Sequence, residues 1–161
     1  MKKLLLFIFG AIIISQFLIG CSVNKNIDFK EFYSQVIGFS ENDVKLMPIE
    51  QDSILMLTNA DFQKFKDKYF TPREIQIEST DKDKAVLYLQ IPSPTSAVNT
   101  YIIKSINLKD NTLTINLRKP TIASVDNKSG FNGSWEWVMF VAIDKTNLSN
   151  NTKIVINKYL Y

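Results

Sequence analysis

The sequence predicts an α+β fold: a mainly antiparallel, sandwich-like β-sheet domain with two short N-terminal helices. Three observations predict it. Apolar residues recur at helical spacing only ahead of Pro72, period-two alternation dominates after it, and the later segments are joined by polar, turn-rich stretches. No strand–helix–strand alternation follows residue 72. Neither a phosphate-binding glycine loop nor a dinucleotide fingerprint is present, so a doubly wound nucleotide fold is not expected.

Taken in order, the chain opens with Met1-Lys2-Lys3, an apolar run from Leu4 to Phe17, and Leu18-Ile19-Gly20-Cys21. A positive start, a short apolar stretch and small-residue cleavage chemistry make a signal peptide. Leu4 to Ile19 is about sixteen residues and is interrupted by Ser15 and Gln16, whereas a span needs roughly twenty. The Leu-Ile-Gly-Cys stretch resembles the lipobox of bacterial lipoproteins, which implies that the thiol of Cys21 carries diacylglycerol and begins the mature chain. Two acyl chains hold where one is marginal, at about 0.8 kcal/mol per buried methylene. The expected division is 1–20 signal peptide, 21–27 acylated cysteine and short tether, and 28–161 a single globular domain.

After the tether, Asp28 and Glu31 have capping-box spacing and Ile27 and Phe32 the spacing of a hydrophobic staple. Phe29, Phe32, Tyr33 and Val36 then fall at i, i+3, i+4 and i+7, with Gly38 placed to stop a first helix. Ser53 to Leu57 reads as a strand. Thr58-Asn59 with Asp61 starts a second helix, in which Phe62, Phe65 and Tyr69 share a face and which Pro72 ends. Glu74 to Glu78 and Lys84 to Ile91 alternate as strands joined by a polar turn, with Ala85, Leu87, Leu89 and Ile91 on one side. Pro92-Ser93-Pro94-Thr95-Ser96 reads as a surface loop, because proline cannot donate to a ladder. Tyr101 to Leu108 and Thr112 to Arg118 form a hairpin turned by Lys109-Asp110-Asn111, with Leu113, Ile115 and Leu117 inward. A polar connection from Thr121 to Gly133 leads to strands at Trp135 to Ile143 and Lys153 to Tyr159, with turns between them.

Composition narrows function by exclusion. The 161 residues carry a net charge of +3, and loss of Lys2 and Lys3 with residues 1–20 lowers it to +1, which leaves no nucleic-acid footprint. Histidine is absent and Cys21 is the single cysteine. Ser-His, Cys-His and His-based zinc chemistry are therefore excluded, and no intramolecular disulfide can form. The eleven Phe and six Tyr supply core area instead. Asp81, Asp83 and Asp110 lack the calcium-loop pattern and read as solvated turns. Glu74, Glu78 and Asp83 are carboxylates with no spacing that singles out an acid–base pair.

Two regions are candidates for binding. Trp135 and Trp137 lie on one face of a strand, with Glu136 on the other. Met139 and Val141 extend that face as an apolar stripe, which favours a core position, while exposed indoles would stack on sugar rings. Phe131, within Gly130-Phe131-Asn132-Gly133, and the Pro94 to Asn99 loop with Tyr101 form a second candidate surface; long irregular connections often carry function.

Ser53-Ile54-Leu55-Met56-Leu57, then Asp61-Phe62-Gln63-Lys64-Phe65, an Asp-led strand Asp83 to Leu89, a proline loop Pro94 to Tyr101 and a hairpin Ile102 to Lys119 with Pro120 after it follow one another in a recognisable order. That order resembles the C-terminal domain family of a spirochaetal protease-complex lipoprotein, the PrcB type, over a little more than half the chain. The family usually has Gly-Gly-Tyr where Asn99-Thr100-Tyr101 stands, and a Pro-Gly loop before Tyr-Pro-Tyr where Ser129-Gly130 and Trp135-Glu136-Trp137 stand. The resemblance implies a non-catalytic accessory role that steadies or restrains a protease. The expectation is thus a lipid-anchored module on the extracytoplasmic face of the cell membrane, using no cofactor, metal or nucleic acid and binding an envelope protein. The alternative is a carbohydrate- or cell-wall-binding module that uses Trp135 and Trp137.

Overall fold

A computed structural model describes residues 24–40, 52–70, 83–93, 101–118 and 133–159. The elements in chain order are β1 (Lys25–Asn26), β2 (Phe29–Ser40), β3 (Ser53–Met56), α1 (Asn59–Tyr69), β4 (Lys84–Ser93), β5 (Ile102–Lys109), β6 (Thr112–Arg118), β7 (Gly133–Asp144) and β8 (Lys153–Tyr159). They form two four-stranded sheets, ordered β1-β5-β6-β8 and β2-β7-β4-β3. The β-rich, sandwich-like fold expected from the alternation is therefore present.

The strands β4 and β7 make the middle of the second sheet because both of their faces are apolar. Ala85, Leu87, Leu89 and Ile91, with Trp137, Met139, Val141 and Ile143, face the first sheet and meet Ile106, Leu108, Leu113, Ile115 and Leu117. Val86, Tyr88, Val138 and Phe140 face the other way and are covered by α1 through Phe62 and Phe65. Phe140 is the hub of that second cluster. Its ring lies 5.2 Å from Phe70, 5.3 Å from Tyr88 and 5.7 Å from Phe62, mostly in edge-on arrangements that suit the ring quadrupoles.

The first sheet has only one apolar face. Its outer face carries a polar ladder in which Asn157 Nδ2 donates to Asn116 Oδ1 at 3.0 Å and Asn116 Nδ2 donates to Ser105 Oγ at 2.9 Å. β8 joins this sheet parallel to β6, whereas the other pairings are antiparallel. The connection 145–152 carries the chain from the end of β7 in one sheet to β8 in the other, and that crossing produces the parallel pair.

Several expectations are corrected. The first helix is a strand: Phe29 pairs with Ile143 and Glu31 with Val141, then the register shifts between Glu31 and Tyr33. At that bulge the rings of Phe32 and Tyr33 both approach Phe140, at 6.0 and 5.8 Å. One extra residue reverses the alternation. Phe29 and Val36 consequently pack between the sheets while Phe32 and Tyr33 pack under α1. A bulged strand thus reproduces helical spacing. Among the described residues α1 is the one helix, and its start is as expected: Thr58 is the N-cap, and its Oγ1 accepts from the Asp61 N–H at 3.1 Å.

The loop expected from Pro92 begins later, because β4 runs on through Ser93 with Pro92 opposite Glu136. Gln90 N–H donates to Asp52 O on the β3 side, and two residues on, the Pro92 nitrogen points to that same side beyond the end of β3. No ladder bond is lost there. The folded part also begins before residue 28. Lys25 and Asn26 pair with Leu108 and Asn107, and Ile27 is 2 % exposed with its N–H donating to Ile106 O at 2.8 Å. The expected strand at Glu74 to Glu78 lies outside the described residues.

Candidate binding pole

All the strands run between two ends of the sandwich, so each functional side chain belongs to one pole, the other, or an edge. The first pole carries the β5–β6 turn. Asp110 and Asn111 have φ of 48° and 58°, as a two-residue hairpin turn requires, and short polar side chains tolerate that region. Asn111 also fastens the β7–β8 connection to this turn. Its Nδ2 donates to Asn151 O at 2.9 Å, its Oδ1 accepts from Thr152 Oγ1 at 2.9 Å, and its carbonyl accepts from the Lys153 N–H at 2.9 Å.

At this pole the Thr146 hydroxyl and backbone N–H donate to Asp144 Oδ1 at 2.7 and 2.9 Å and hold the Asp144 carboxyl below its ordinary pKa. Asp83, one of the sequence-level carboxylate candidates, lies 3.9 Å from Lys145 Nζ. Asp110 is in the hairpin turn, and Glu74, Glu78 and Asp81 lie outside the described residues. Among the described residues no three His, Cys, Asp or Glu side chains converge on a point where they could hold a metal ion.

The opposite pole has a different surface. Trp137 is 1 % exposed, its ring 5.3 Å from Tyr101, and its Nε1 donates to Ser34 Oγ at 3.1 Å. An indole buried in this way cannot stack on a sugar, which corrects the use of Trp137 as a platform. Trp135 shares its face two residues nearer the end of β7 and is half-buried. Its strand neighbours are Gly38 and Ser93, which add little bulk around it. Tyr101 is likewise half-buried, and the next residue, Ile102, is 40 % exposed, the large apolar side chain most open to solvent among the described residues.

Tyr101, Ile102 and Trp135 therefore gather at one end of the sandwich. Pro94, Asn99 and Phe131 lie outside the described residues, as does Cys21. The described residues that flank the first three, Ser93, Tyr101 and Gly133, all sit at this same end. Ile102 was not singled out from sequence. The signal available was the run Tyr101-Ile102-Ile103, three apolar neighbours that a strand cannot all turn inward.

The two long edges of the sandwich also differ. On one, the chain passes from β1 in the first sheet straight into β2 in the second, and Glu31 accepts a hydrogen bond from the Ile103 backbone N–H of β5. Burial raises the Glu31 pKa more than that bond lowers it. On the other edge β3 and β8 leave an open groove of about 440 Å³ lined by Ser53, Ile54, Leu55, Ser149, Thr152 and Ile154. No protein-family model matches the chain, and no curated protein or solved structure is found similar to it.

Proposed function

We propose that this protein is a membrane-anchored lipoprotein whose folded part is a non-catalytic binding module at the cell envelope, with a protein as its partner. One observation carries the reading: half-buried Tyr101 and Trp135 and exposed Ile102, on the outer face of β5, lie at a single pole and keep apolar area open to solvent there. Aromatic side chains packed around a desolvated centre are the usual anchors of protein interfaces. The lipobox-like Leu18-Ile19-Gly20-Cys21 supports attachment, and the absence of histidine supports a role without acid–base chemistry. The resemblance to the protease-complex domain family supports a protease as the kind of partner that is steadied or restrained.

Chemical crosslinking in membranes followed by capture of this protein tests the reading. A specific protein partner is expected, with its recovery cut at least tenfold by Ile102→Asp. Recovery of nothing above background, or recovery unaffected by that substitution, overturns it.

A further inference from the structure

Where the chain enters the fold decides which way the fold faces. β1 runs antiparallel to β5, with Lys25 opposite Leu108 and Asn26 opposite Asn107. β5 runs towards the turn at Asp110 and Asn111, so β1 runs away from it. Asn24, the residue before Lys25, accordingly lies on the turn side of β1. Only Ser22, Val23 and Asn24 separate Cys21 from β1. Four backbone steps of at most about 3.6 Å keep Lys25 within about 14 Å of Cys21. The headgroup region of one leaflet is about 5–8 Å deep, half of the bilayer's growth from about 30 Å to about 40–45 Å, so the leash keeps the turn end of the fold within about 10 Å of the headgroups.

We propose that the pole carrying the β5–β6 turn rests on phospholipid headgroups, and that Tyr101, Ile102 and Trp135 are thereby displayed away from the membrane. This rests on the lipid-anchor reading above. Ile102 stands seven residues along β5 from Lys109, about 23 Å at roughly 3.3 Å per residue. The membrane-facing pole presents Lys25, Lys84, Lys109, Lys145 and Lys153. Asp28, Asp83, Asp110 and Asp144 bring its charge close to balance, so the short leash and not a basic field sets the contact. Long lysine side chains then reach the phosphates while their stems lie along the fold. A partner approaching from outside the membrane meets the apolar pole first.

Cys21 is the single cysteine and the lipid occupies it, so an introduced cysteine can be labelled uniquely. The full acylated chain carrying Lys109→Cys or Ile102→Cys, each with a fluorophore, is placed in phosphatidylcholine vesicles containing a nitroxide-headgroup lipid, with and without phosphatidylglycerol. An unchanged unfolding midpoint shows that each variant is folded. Quenching at position 109 is expected to exceed that at position 102 at least threefold, and to persist in vesicles without anionic lipid and at high salt. Equal quenching at both positions, or stronger quenching at 102, overturns the orientation while leaving the anchor intact. Mass analysis of the Cys21 peptide separates the two failures: an unmodified thiol overturns the anchor and the orientation together. Quenching at 109 that vanishes without anionic lipid replaces the leash with a charge-driven contact and also overturns the proposal.

Discussion

The two poles of the sandwich are built from different chemistry. At the turn pole, side chains about forty residues apart in sequence are tied together through Asn111, and the connection between the sheets is fixed by polar bonds. At the opposite pole, Tyr101 lies against Trp137, and the surface ends in half-covered Trp135 and exposed Ile102. Polar closure commits Asn111 and Thr152 to bonds within the fold. Apolar ends that are left partly open retain area that another molecule can remove from water.

Breaking the support of the apolar pole gives the largest expected effect. Trp137→Ala removes a buried ring from between the sheets and is expected to cost about 3–5 kcal/mol, read by urea unfolding. Trp135→Ala should cost clearly less, because its ring is only half-buried. The same pair sharpens the comparison optically. In Trp135→Phe the remaining indole should emit towards the blue and resist acrylamide, whereas in Trp137→Phe the remaining indole should be readily quenched.

The turn pole breaks at Asn111. Asn111→Ala loses the side-chain bonds and places alanine at φ 58°, for an expected loss of about 2 kcal/mol. Asn111→Gly loses the same bonds but accepts that backbone conformation, and should recover about half of the loss in the same unfolding assay. Thr58→Ala removes the cap of α1 and should cost about 1 kcal/mol, without changing capture of a partner.

Smaller effects separate two carboxylates by pH. Asp144 has a lowered pKa, so its contribution is complete above the unfolded value and is lost as pH falls through the folded one. Asp144→Asn should flatten the acid side of the stability profile. Glu31 has a raised pKa, so its ionisation works against the fold as pH rises from the ordinary carboxylate value through the folded one. Glu31→Gln should remove that decline, leaving the protein at neutral pH no less stable than the parent. An unchanged profile in either variant contradicts the cause assigned to that shift.

Much of the fold was legible because alternation survives wherever a strand is regular. Leu113, Ile115 and Leu117 face inward as read, the expected turn forms at Asp110-Asn111 with Lys109 closing β5 opposite Thr112, and Phe62 and Phe65 of α1 cover the second sheet. β2 was not legible, since its bulge at Phe32 and Tyr33 converts period two into a pattern that a helix would also give. The parallel β6–β8 pair and the groove beside β3 arise from contacts distant in sequence, which no local spacing records. Of the candidate site, Tyr101 and Trp135 were named from sequence. Trp137 proved to be their buried support, and Ile102 was hidden in an apolar run whose phase only the β5 bulge between Ile103 and Ser105 fixes.

Placing one photo-crosslinking residue at position 102 and, separately, at position 153, in the full chain expressed in cells, tests the proposed division of labour between the poles most directly. Position 102 should yield a discrete protein adduct and position 153 lipid adducts without it. A protein adduct formed from 153 and absent from 102 would contradict the assignment of the apolar pole as the binding surface.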